Sequence, residues 1–221
     1  MKILHILNRG VDKRKIFMDD KDRLRFVHNL YEFNNQDNVN NNFHAFSKYN
    51  DIGCRYDKPR KLLVEIYTFC LMDNHYHLML SPKIEDGVPR FMKKLNMGYA
   101  KYFNERYQRN GALFQGKYKS ILINNHSHFV HLPYYIHLNP LDYYLPEWRE
   151  KRLKSLSQAI KFLENYRWSS HLNYLDKNNF SSVINKNFLS EIFGSNKKYQ
   201  ETIRQFLQNM FLNTIKDIIL E

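Results

Sequence analysis

Residues 62–81 carry the pattern that most limits the fold. Leu62 to Met72 alternates β-branched and aromatic residues, a break falls at Asp73-Asn74, and His75 to Ser81 resumes the pattern. Two paired strands are predicted. Lys2 to Asn8 reads as a short strand broken by Asn8-Arg9-Gly10, and Leu113 to Ile123 as a further strand. Helical spacing lies between them. Asp19 or Asp20 can cap a helix carrying Leu24, Val27, Leu30 and Tyr31. Pro89 to Arg109 reads as a helix ended by Asn110-Gly111, and Ser127 to Leu138 as one stopped by Asn139-Pro140, with a kink expected at Pro133. The order β-α-β-β-α-β-α argues for an α+β domain, an antiparallel sheet with helices on one side.

Asn34 to Asn42 is polar and low in complexity, and 34–60 is read as a loop insertion. Beyond Pro146 only helical segments follow, so the chain divides into a unit at 1–145 and a helical extension at 146–221. Its last segment, Thr202 to Leu220, places Ile203, Phe206, Leu207, Met210, Phe211, Ile215, Ile218 and Ile219 on one stripe. The 43% hydrophobic content, with 16 Phe and 16 Tyr, rules out wholesale disorder. No apolar run approaches the ~20 residues of a spanning helix. The polar start lacks a cleavage site, and Cys54 and Cys70 cannot build a disulfide framework. A cytoplasmic protein with no membrane partner is expected.

The net charge is +12, and it is clustered. Arg90, Lys93, Lys94, Lys101, Arg106, Arg109, Lys117 and Lys119 face only Glu105 within 90–119, interleaved with Tyr99, Tyr102, Phe103, Tyr107, Phe114 and Tyr118. Cations that neutralise phosphates beside rings that stack on bases suggest a nucleic-acid surface. The alternative is a solvated helix face whose aromatics point into the core.

In a strand, His75 and His77 project to one face while Tyr76 points away. Two imidazoles so placed can chelate a divalent metal, or can be two histidines of core or surface. Tyr135 and Asn139 lie one helical turn apart. An amide oxygen there could supply a third ligand, and the phenol would face whatever the metal activates. His131, a turn earlier, is a candidate acceptor for its proton. The alternative for Tyr135 is a core aromatic. A zinc-protease motif, a phosphate-binding Gly-Lys-Ser/Thr loop and a Gly-x-Ser-x-Gly elbow are all absent from the sequence.

The chain resembles the HUH single-strand DNA endonucleases, in particular the single-tyrosine transposases of insertion-sequence type and the REP-associated tyrosine transposases. The resemblance spans roughly Ile3 to Gly194. It rests on ILNRG at 6–10, IF at 16–17 with DxxRF at 22–26, and CLMDNHYHLML at 70–80. It continues through YAKYFNERYQRNGALFQGKYKS at 99–120, YIHLNP at 135–140 and YRWSSHLNYL at 166–175.

This resemblance implies a ferredoxin-like or RRM-like sheet and an enzyme that cleaves single-stranded, hairpin-bearing DNA with Mg²⁺ or Mn²⁺. His75 and His77 would be the metal pair, Asn139 a further ligand, and Tyr135 the nucleophile that becomes linked to a 5′ phosphate. Arg109, Gln115, Lys117 and Lys119 would be the foremost DNA contacts within the basic window. Trp168-Ser169-Ser170 resembles the marker of an extension whose bearers can act as monomers, with a dimer as the other option. Met72-Asp73-Asn74 departs from the family's Met-Pro-Asn, and Leu141 to Tyr144 departs from its basic and small residues. A hairpin-binding module without catalysis is therefore the alternative function.

Overall fold

The computed structural model describes residues 2–37, 60–150 and 153–209. Most of the expected insertion, Cys54, and the part of the expected last helix beyond residue 209 lie outside them.

Four antiparallel strands form one sheet in the order β2-β3-β1-β4, namely β1 (Ile3–Arg9), β2 (Val64–Met72), β3 (His75–Pro82) and β4 (Lys119–Ile123). β2 and β3 pair across the Asp73-Asn74 turn as predicted, with a register shift between Ile66 and Thr68. β4 is shorter than its sequence suggests. Leu113 and Phe114 are buried by a loop that meets β1 through the single bridge Gly10–Phe114.

Helices lie on both faces, not one. α1 (Asp20–Glu32) and α2 (Gly87–Arg106) enclose Phe26, Leu30, Leu95, Tyr99 and Phe103 with Ile6, Phe69, Leu78 and Leu80 of the sheet. On the opposite face, α3 (His126–Leu138) and the later helices bury Leu132, Tyr135, Ile136, Trp148 and Leu163 with Ile3, Cys70, Met72 and Met79. Strands apolar at both parities need a cover on each side.

The caps follow local chemistry. Asp19 accepts from the Asp22 amide at 3.1 Å to start α1. Leu24 stays exposed while Phe26 takes the buried position beside Val27. α2 ends three residues before the expected Arg109. Tyr107 closes it, Gln108 adopts a left-handed φ of 49°, and the Gly111 turn follows separately. Gly98 lets α2 meet Phe33, since a Cβ there would stand 2.4 Å from that ring. Asn125 caps α3 through the Ser127 amide at 2.7 Å, and the helix runs through Pro133 as one piece. Asn34, expected in the insertion, is buried and takes the Leu63 and Val64 amides on its Oδ1.

The extension comprises α4 (Leu141–Tyr144), a 3-10 turn at Pro146–Glu150, α5 (Leu156–Asn165), α6 (His171–Tyr174), α7 (Lys186–Phe193) and α8 (Asn196–Asn209). Apolar residues of the extension, from Leu153 to Leu207, pack into one core with the sheet. Trp168-Ser169-Ser170 runs along the free edge of β2. The Leu71 amide donates to the Trp168 carbonyl at 2.9 Å, and the Ser170 amide to the Phe69 carbonyl at 3.0 Å. An otherwise open sheet edge is thereby paired.

A buried polar chain ties the extension to α3. His137 Nδ1 meets the Tyr199 hydroxyl at 2.8 Å, that hydroxyl meets His171 Nδ1 at 2.7 Å, and His137 Nε2 meets Ser170 Oγ at 2.8 Å. Burial, aided by Lys177, lowers the His171 pKa from 6.5 to about 3; burial and Arg25 lower His28 alike to about 3. An unfolded chain protonates both imidazoles as pH falls through about 6.5, and the folded chain resists until about 3. Their contribution is therefore complete above pH 6.5 and falls between those values, each group costing up to about 1.4 kcal/mol per pH unit. The melting temperature is expected to drop between pH 7.5 and pH 5 in thermal melts; an unchanged value would contradict this assignment.

Candidate active site and nucleic-acid surface

Strand parity places His75 and His77 on the face covered by α3, and Tyr76 on the other. Their ring centroids are 4.9 Å apart. β1 adds a third imidazole, because its pairing with β3 sets Leu7 opposite His77 and brings His5 alongside. His5 Nε2 lies 3.0 Å from His77 Nδ1, and the rings stack at 5.3 Å. Tyr135 of α3 is fully buried and stands edge-on to both, at 5.9 Å from His77 and 6.3 Å from His5. Tyr134 instead stacks on Tyr199 and Phe206 within the extension's core.

Asn139 caps α3 from a buried position. Its Nδ2 donates to the Tyr135 carbonyl at 2.9 Å, and its Oδ1 accepts from Arg149 Nη2 at 2.9 Å. The Arg149 guanidinium lies 5.5 Å from the Tyr135 ring centroid and holds Asp142 through Nε and Nη2, at 2.8 and 2.7 Å. The Trp148 indole also donates to Asp142, at 2.6 Å. His131 turns elsewhere. Its Nδ1 lies 2.8 Å from the Ser127 carbonyl and its ring packs on Phe206, while His5 and His77 are set edge-on to Tyr135.

The His pair sits in a positive field. Burial first, then Arg9 and Arg149, lowers the His75 pKa to about 3, with Asp73 opposing. Burial and the neighbouring imidazoles and arginines push His77 well below its usual value. Both rings are therefore neutral at pH 7, the state a metal requires. His75 Nδ1 meets Asn74 Oδ1 at 2.6 Å, while its buried Nε2 meets no hydrogen-bond partner. A hydrogen bond that holds one ring nitrogen and a bare lone pair on the other fits a metal ligand. The remaining donors are fewer. Among the described residues no three His, Cys, Asp or Glu stand close enough to hold an ion, and the Asn139 oxygen is taken by Arg149.

The basic window divides by exposure. Lys93, Lys101, Gln115, Lys117 and Lys119 face solvent. Arg106 is committed inward, paired with Asp19 and with fully buried Asp22. Lys94 donates to the Asn35 carbonyl at 2.7 Å and to that of Asp37 at 3.0 Å. Arg90 lies near Asp86 and the Gln36 carbonyl, and Arg109 donates to Asn104 Oδ1 at 3.0 Å. Tyr99 and Phe103 belong to the core, and the Tyr102 and Tyr107 hydroxyls donate to Asp22. Most of the aromatics thus follow the bland alternative, whereas five of the expected DNA contacts face solvent. His5, Arg9 and Arg149 carried no local signal, since strand pairing and a distant 3-10 turn deliver them.

Residues 55–139 match the family model described as transposase, IS200-like. That span holds the His pair, the basic window and Tyr135-Asn139, and it upholds the family resemblance read from the motifs. A solved structure of a REP-associated tyrosine transposase bound to a REP hairpin superposes with a TM-score of 0.46 at 12% identity, over 79% of each chain. No curated protein matches the sequence. No helix of the described residues is long and apolar enough to cross a membrane.

Proposed function

We propose that this chain is a transposase-type enzyme that binds single-stranded or hairpin DNA and cleaves one phosphodiester with Tyr135. The observation that carries this reading is the convergence of Tyr135, His77 and the bare Nε2 of His75 on one covered sheet face, within the transposase-matched span. Tyr135 Oη would form the bond to phosphorus as the P–O3′ bond breaks. The phenolic proton is given up, and the leaving 3′ oxygen gains a proton to become a hydroxyl. The product is a 5′-phosphotyrosine, whose retained ester energy permits rejoining. His75 and His77 would hold Mg²⁺ or Mn²⁺, with Asn139 joining them once Arg149 releases its oxygen. Such an ion withdraws charge from the phosphoryl oxygens. Arg9 would supply positive charge for the same phosphate, whereas Arg149 is shared with Asp142.

Residues 1–145 would form the catalytic unit and 146–221 a covering extension, acting as a monomer. Incubation of the full chain with labelled hairpin oligonucleotides and Mn²⁺ should yield an adduct that survives denaturation. Binding should also weaken with salt. If Lys93, Gln115, Lys117, Lys119 and Arg109 line the strand, their four cations predict a slope of about −3 in log K against log salt, at about −0.7 per phosphate. Lys117→Ala and Lys119→Ala should each flatten it by roughly 0.7 in anisotropy titrations. An unaltered slope in both variants removes them from the DNA path.

The bond from Arg149 to Asn139 Oδ1 favours a second reading, a hairpin-binding module that has lost catalysis. Salt-dependent binding with no adduct across Mg²⁺ and Mn²⁺ would select it.

A further inference from the structure

A cleft of about 380 Å³ opens between the loop after β1 and the end of α2, lined by Arg14, Lys15, Met18, Phe103, Tyr107 and Arg109. Among the described residues no acidic side chain lines it. One wall is aromatic, with the Phe103 and Tyr107 rings 4.6 Å apart. Met18, 56% exposed, stands beside that wall. The rim is cationic. Arg109 lies 5.7 Å from the Phe103 ring centroid, and the buried Nε of Arg14 has no acceptor. Lys15, 63% exposed, reaches Asp73 at 3.1 Å, and Asp73 keeps Arg23 as a second partner if Lys15 is drawn away.

The cleft is joined to the candidate active site through one turn. The Ile16 and Phe17 amides donate to the Asp73 carbonyl, at 2.7 and 3.1 Å, and Asn74 Nδ2 donates to the Lys13 carbonyl at 3.1 Å. His75 follows directly.

We propose that this cleft receives one unpaired base of a bound DNA strand, held against Met18 and the Tyr107 ring, with adjacent phosphates on Arg14, Lys15 and Arg109. The volume falls within the range of small-ligand sites. Aromatic and cationic groups side by side are what an extruded nucleotide presents its base and phosphate to. A paired base cannot enter, so the site distinguishes single-stranded flanks from duplex. This inference rests on the DNA-binding reading above and deepens it.

The test compares two hairpin probes, one with an oligothymidine tail and one with an abasic tail of equal phosphate number, by anisotropy with the full chain. The natural sequence should bind the thymidine tail about five- to a hundredfold more tightly. Met18→Glu should erase that preference. Met97→Glu makes the same charge change at a methionine that is 62% exposed on α2, and should keep it. Salt-dependent binding of both tails with equal affinity, or a preference that survives Met18→Glu, overturns the base site and leaves the DNA-binding reading standing. Absence of binding to either probe overturns both.

Discussion

Tyr135→Phe is expected to abolish the covalent adduct with hairpin DNA, lowering its yield by at least about 10³-fold, while hairpin affinity stays nearly unchanged. The substitution removes one oxygen and keeps the ring. The edge contacts with His5 and His77 and the Arg149 guanidinium over the ring depend on that ring. Folding should therefore change by no more than about 1–2 kcal/mol, the worth of a buried hydroxyl's hydrogen bonding. Tyr134→Phe is the control, because Tyr134 faces Tyr199 and Phe206 on another side of α3. Denaturing gels with labelled hairpins and Mn²⁺ read the result. An undiminished adduct in Tyr135→Phe, or its loss in Tyr134→Phe alone, would move the nucleophile elsewhere.

Asp22→Ala should destabilise the fold by about 3–5 kcal/mol, the usual consequence of stripping one partner from a buried ion pair. Asp22 is fully buried at the junction of α1 and α2. Its carboxylate pairs with Arg106 and accepts the Tyr102 and Tyr107 hydroxyls at 3.0 and 2.8 Å and the Met18 amide at 2.8 Å. Alanine leaves two phenols and part of a guanidinium without their acceptor. Asp20→Ala provides the comparison, since Asp20 is 72% exposed in its pair with Arg23 and should cost well under about 1 kcal/mol. Urea denaturation of both variants decides. Equal, small losses would show that the network contributes little.

The β2–β3 hairpin was legible because alternation and the Asp73-Asn74 break are local. So was the shared face of His75 and His77, which parity alone dictates. The two-sided cover was misread, although a signal existed: β2 and β3 are apolar at both parities, and a one-sided sheet would alternate. Leu113 and Phe114 extended the fourth strand on paper because hydrophobicity reports burial, not hydrogen-bonded pairing. Arg106 counted as surface charge because Asp19 and Asp22 are more than eighty residues away in the chain. Arg149 was invisible for a similar reason, since nothing near it in sequence predicts that it returns to α3.

The edge of β2 also sets a timetable for the newly made chain. Phe69 receives its cover from Ser170, 101 residues later. At about 5–20 residues per second on a ribosome, the hairpin waits roughly 5–20 s with one side unpaired. During that interval the apolar face later sealed by the extension is also exposed. Production of this protein should therefore be sensitive to translation speed and to chaperone supply in a way that its finished stability does not reveal.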